Sequence, residues 1–135
     1  MRRVVHIPIV CRRCGAATER VCLAEARRAG LRVSSSVHCP SCFFSEEGDG
    51  DELSGVVRDA FVAVEGRWTV HVREIGPRRA DVVREVRRQR NEGLVEVIRL
   101  LRSGGAVVEG ALVEAEQVQL VLTDLGASVA LSRQG

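Results

Sequence analysis

Cys11-Arg-Arg-Cys14 and Cys39-Pro-Ser-Cys42, with 24 residues between them, decide how this chain is read. Each C-x2-C hook lets two sulfurs of one tight turn reach the same ion. Two hooks complete the tetrahedron that Zn²⁺ takes in structural sites, leaving no open position for a substrate. Cys11, Cys14, Cys39 and Cys42 are therefore expected to hold a structural Zn²⁺, and residues 1–44 to form a zinc ribbon. Gly15 suits the positive φ such a knuckle needs, and Pro40 stiffens the second turn. Two disulfides fit the spacing too, but a self-bonded C-x2-C pair is usually a redox motif. Residues 1–10 do not read as a signal peptide, because His6 and Pro8 break a short apolar run with no small-residue cleavage site. Reduced thiols in a cytoplasm fit these features best. Cys22, between Val21 and Leu23, reads as a small buried apolar residue. His38 adjoins Cys39 as a lesser candidate ligand.

Outward from the hooks, 135 residues suffice for one ordinary domain or two small ones. An apolar content of 45% with 28% charged residues excludes a wholly disordered protein. No stretch approaches the roughly 20 apolar residues of a membrane span. The net charge of +2 hides segregated blocks: residues 1–44 carry eight Arg against two Glu, and residues 45–65 one Arg against seven acids. Residues 66–102 carry ten Arg against five acids, and residues 103–135 one Arg against four. Ser45-Glu-Glu-Gly-Asp-Gly-Asp-Glu52 offers nothing to bury and reads as a solvated, flexible acidic linker. The expected division is a zinc ribbon over 1–44, an acidic linker and undecided segment over 45–65, and a second domain over 66–135.

Within the ribbon, strands are expected over Val4–Val10 and Leu31–His38, and a short helix over Glu19–Ala29. Val56–Val64 is compatible with strand or helix. From Trp68 to Ile75, apolar and polar residues alternate as in a half-buried strand, which Gly76-Pro77 ends. Arg79–Arg90 gathers Val82, Val83 and Val86 on one face of an amphipathic helix. Leu94–Arg102 and Ala115–Leu125 repeat that period, with Gly104 and Gly126 as stops. Ala127–Leu131 ends the pattern as a strand. The fold class expected is α+β: a zinc ribbon joined to a small two-layer α/β sandwich in the order strand, helix, helix, helix, strand.

Trp68 to Leu131 resembles the C-terminal domain of the bacterial ribosomal stalk protein L7/L12. The residues that carry the likeness are the aromatic-x-Val-x-Val opening strand, Arg79-Ala-Asp-Val-Val-Arg-Glu-Val-Arg87, Gly93-Leu94, and Leu125-Gly-Ala-Ser-Val129. In that family the domain recruits translational GTPases to the ribosome. The resemblance implies partner contacts at Arg79, Val83, Arg84 and Arg87 in the first helix, and at Gly93 and Leu94 where the second opens. The chain departs from the family where Asn91-Glu92-Gly93 replaces Gly-Leu-Gly and where Val95 and Ile98 replace lysines. It has a zinc ribbon in place of the dimerisation helices and hinge.

Arg78 to Arg90 holds six Arg and two acids, a balance that suits an acidic partner, whether a protein surface or a phosphate backbone. No Ser-His-Asp grouping, phosphate loop or H-E-x-x-H helix is written in the sequence. Phe43 and Phe44 are expected to pack beneath the zinc site, with base stacking as the alternative. Function is thus expected to be that of a non-enzymatic cytoplasmic adaptor, translation- or ribosome-associated, docking a protein. The alternatives are a nucleic-acid-binding zinc ribbon that contacts phosphates through Arg and, less directly, an adaptor for a chaperone or protease. Chelation is expected to unfold residues 1–44 and to spare the second domain.

Overall fold

Alternating burial organises the first half into a meander. The computed structural model describes residues 2–134. Strands β1 (Arg2–Val10), β2 (Ala17–Arg27), β3 (Gly30–His38) and β4 (Ser45–Gly50) pair antiparallel in that order. Val5 opposes Cys22, and Cys22 opposes Ser35, so one face of the sheet gathers Val5, Cys22, Ala24, Ala26 and Val33. Cys22 is fully buried there, and burial pushes its thiol pKa up.

Two expectations for this half are overturned. The helix expected over Glu19–Ala29 is strand β2. Its Glu, Ala, Leu and Arg residues are good helix formers, but burial of Cys22, Ala24 and Ala26 has period two. A strand paired on both sides also satisfies its whole backbone, and that tertiary context overrides propensity. The flexible linker expected over 45–52 is likewise largely β4, whose Ser45–Gly50 backbone pairs with Val33–His38. A short strand of acids and glycines at a sheet edge discourages further pairing, so the composition that reads as a linker also suits an edge.

The undecided segment is helix α1 (Gly55–Glu65). Ser54 caps it by accepting a hydrogen bond from Val57 N at 3.4 Å, and Phe61 is buried. Strand β5 (Arg67–Glu74), helices α2 (Arg79–Arg90) and α3 (Leu94–Ser103), strand β6 (Ala106–Ala111), helix α4 (Leu112–Asp124) and strand β7 (Ser128–Gln134) follow. The second sheet has the order β6-β5-β7 and is antiparallel. The expected strand-helix-helix-helix-strand order therefore lacked one strand, β6. Ala106-Val-Val-Glu-Gly-Ala111 is short, does not alternate, and passes into α4 with no turn residues between. Val70, Val72 and Val107 of this sheet pack under Val82, Val83 and Val86 of α2, Val97 of α3 and Val118 and Leu122 of α4. A Cβ on Gly76 would come within 2.2 Å of Gly126 O, so the exit of β5 and the turn before β7 require glycine at their contact.

Packing crosses the boundaries expected at 44 and 66. One core joins Val5, Cys22, Ala24, Ala26 and Val33 of the first sheet to Leu53, Phe61 of α1, Ala111 and Val113. Partly buried ion pairs follow the same path. Arg3 on β1 donates to Glu65 and to Glu116, each at 2.6 Å, and Arg58 on α1 pairs with Glu114 at 2.8 Å. Gln117 of α4 accepts from the backbone N–H of Arg27 at 2.8 Å. Among the described residues, no helix is long and apolar enough to cross a membrane.

Candidate metal centre

The two hooks sit in the loops β1–β2 and β3–β4, at the same end of the sheet, and they fold alike. Cys11 N donates to Ala16 O and Gly15 N to Cys11 O, both at 2.8 Å. Cys39 N donates to Phe44 O and Phe43 N to Cys39 O, also at 2.8 Å. Antiparallel pairing of β1, β2 and β3 thus carries the loops to one another. The sulfurs of Cys11, Cys14, Cys39 and Cys42 lie within 4.8 Å of one another, with Cys11–Cys42 at 3.7 Å and Cys14–Cys39 at 3.6 Å. A disulfide needs about 2.05 Å, and all five cysteines are free. A regular tetrahedron of sulfurs about 2.3 Å from a central ion has edges of about 3.8 Å, which these separations match. The four cysteines thus form a group that could hold a metal ion. His38 is not in it; its ring centroid lies 6.4 Å from that of Phe43.

No family model, curated protein or solved structure matches this chain.

The thiols of the group differ in acidity. Backbone N–H groups of Cys14 and Arg13 hold Cys11 down at about 6, and the N–H of Cys42 likewise lowers Cys39. Cys14 is pulled down by Ala16, but burial and the neighbouring sulfurs of Cys39, Cys42 and Cys11 outweigh that and push it up to about 12. Within the first hook, Cys11 is therefore the readier to ionise and Cys14 holds its proton more tightly. A metal that takes all four as thiolates must displace at least the Cys14 proton. Affinity is then expected to rise about tenfold per pH unit near neutrality for each proton released. Competition against a chromophoric chelator at two pH values checks this, and an affinity independent of pH would contradict the release of a proton on binding.

Two side chains near the hooks, Arg12 and Arg20, make contacts that the sequence does not announce. Arg12 of the first loop lays its guanidinium over the Phe44 ring at 5.0 Å and pairs with Glu46 of β4 at 2.9 Å, strapping one loop to the other. Arg20 reaches the same carboxylate at 3.6 Å. Phe43 does not pack beneath the site as expected; it is 75% exposed and has φ +62°. Left-handed backbone costs an L-residue about 1–2 kcal/mol.

The residues expected to meet a partner lie on α2 and α3, which pack against the second sheet. Arg79, Val83, Arg84, Arg87 and Leu94 line one groove between α2 and α3, with Ala80 and Ile98, of about 470 Å³. Gly93, the sixth, is the N-cap of α3 beside it. Val83 is buried in the floor, while Leu94 is half-exposed. Arg84 has a 3.4 Å contact with Asp81, and Arg87 Nε reaches Glu92 O at 3.5 Å, so the exposed guanidiniums at the rim are weakly engaged.

Proposed function

We propose that the protein is a non-enzymatic zinc-binding adaptor that docks a protein partner in the groove between α2 and α3. The observation that carries this reading is the groove itself: an apolar floor of Val83, Leu94 and Ile98 rimmed by Arg79, Arg84 and Arg87, with no acid among its lining residues. That chemistry suits an amphipathic acidic segment, apolar side chains seated on the floor and carboxylates at the rim. Zinc is the ion proposed for the four cysteines, because a four-thiolate tetrahedron of this size is the shell it takes in structural sites. Such a closed shell organises the loops and activates no water, so the metal and the docking groove have separate tasks. Free thiols at this density suit a reducing compartment, and a cytoplasmic location is part of the proposal. The likeness of Trp68–Leu131 to the stalk domain supports a partner in translation, a translational GTPase or the ribosome.

The test is a pull-down of the tagged full chain from its own cells with and without nuclease, read by mass spectrometry, beside the Arg84→Glu/Arg87→Glu double variant. Nuclease-resistant recovery of a defined protein, reduced on the order of tenfold or more by the double variant, is the expected result. The melting temperature should barely move, because both side chains are exposed. Recovery that the charge reversal leaves unchanged excludes the groove, and recovery that vanishes with nuclease moves the reading to nucleic acid.

A further inference from the structure

The second hook differs from the first at one telling position. Both loops close with the same backbone hydrogen bonds, and both turn through a residue of positive φ just after the second cysteine. In the first loop that residue is Gly15 at +78°, and in the second it is Phe43 at +62°. Glycine adopts this conformation freely, whereas a side chain is strained there. Phe43 gains no burial that would offset the strain, being 75% exposed. The fold would be served better by glycine, so folding does not explain a phenylalanine at position 43. Strain of this kind, held by surrounding structure, points to a task for the side chain.

The neighbours indicate what task. The ring of His38 lies 6.4 Å away at an interplanar angle of 51°. Arg12 and Arg13 come from the facing loop; both are exposed, and Arg13 has no ion pair among the described residues. Pro40 and Ser41, in the same loop as Phe43, are exposed. An apolar protein hot spot is ringed by contacts that exclude water, but Phe43 is 75% exposed and its ring neighbour is the polar His38. Arg12 is committed to the Phe44 ring and to Glu46, which leaves Arg13 as the cation of the facing loop. An exposed aromatic ring with an arginine on the facing loop suits a base of a single strand that stacks while the cation meets its phosphate.

We propose that Phe43, with His38 and Arg13, forms a stacking site for a base of single-stranded nucleic acid at the metal-binding end of the molecule. This surface lies apart from the groove between α2 and α3, so one chain carries two docking sites. Fluorescence anisotropy with 5′-labelled 12-nucleotide oligothymidine and oligouridine, on the metal-loaded full chain, tests it. Wild-type protein should bind at least one oligonucleotide in the micromolar range. Phe43→Gly should lose roughly tenfold or more in affinity while melting no lower than wild type, and Phe43→Trp should retain binding. The Arg84→Glu/Arg87→Glu variant should bind like wild type. The proposal is overturned if neither oligonucleotide binds, if Phe43→Gly binds undiminished, if that variant melts lower than wild type, or if the loss follows the α2 reversal. Capture of a defined protein that depends on Phe43, with no oligonucleotide binding, gives the surface to a protein instead.

Discussion

Chelation of the metal, or the Cys39→Ser substitution, is expected to open the loop end of the first sheet and to lower stability more than any substitution in the apolar core. Zinc contributes on the order of 10 kcal/mol or more to folding in small isolated sites. That figure is an upper bound here, because β1, β2 and β3 are also held by the core at Val5, Cys22, Ala24 and Val33. The hooks are what join the β1–β2 loop to the β3–β4 loop, through Cys11–Cys42 and Cys14–Cys39. Without an ion, four sulfurs within 4.8 Å of one another repel as thiolates and gain little as thiols. The edge strand β4 has no apolar side chain of its own to hold it once the loops part. Hydrogen exchange should therefore quicken most in the hooks and in β4 on chelation, and least around Val82, Val86, Val97 and Leu122. Unchanged exchange throughout the hooks would contradict a structural metal.

Phe61→Ala is expected to cost about 3–5 kcal/mol, the range for deleting a buried aromatic side chain. Phe61 is 1% exposed and packs with residues from both ends of the chain, Val5 and Cys22 on one side and Ala111 and Val113 on the other. The two halves should therefore lose stability together, in one calorimetric transition at lower temperature. By contrast, exposed side chains at the groove rim should change stability by about 0.5 kcal/mol or less. Two transitions, with that of the second half unmoved by Phe61→Ala, would show that the shared core does not couple them.

Legibility in the sequence followed the strength of the local signal. The grouping of the four cysteines is legible because two C-x2-C hooks are short local patterns that stand out whatever the rest of the chain does. Helix α2 was placed over Arg79–Arg90, as found, because Pro77 before it, Asn91-Glu92-Gly93 after it and three valines on one face all agree. β2 reads as helix because Glu25, Ala26 and Arg27 favour helix in isolation, and only the neighbouring strands decide otherwise. β4 was misread because acids and glycines suit both a linker and a sheet edge. The core crossing from Val5 to Val113 is a long-range contact that no local pattern encodes. Phe43 reads as core because an aromatic beside a hook is the nearest apolar cover for it, whereas the ring is exposed. Matching Cys39-Pro-Ser-Cys42-Phe43 to Cys11-Arg-Arg-Cys14-Gly15 residue by residue was the available signal, since it sets a phenylalanine where the first loop turns on glycine.

The proposed role of the amino-terminal half depends on the four cysteines holding an ion, and its presence, identity and stoichiometry can be read directly. Elemental analysis by plasma mass spectrometry of the full chain, purified without chelator, beside the Cys11→Ser/Cys39→Ser variant, should give one zinc per wild-type chain and almost none in the variant. A wild-type chain free of metal, or a variant that keeps its zinc without two of the four thiols, would contradict the four-cysteine site.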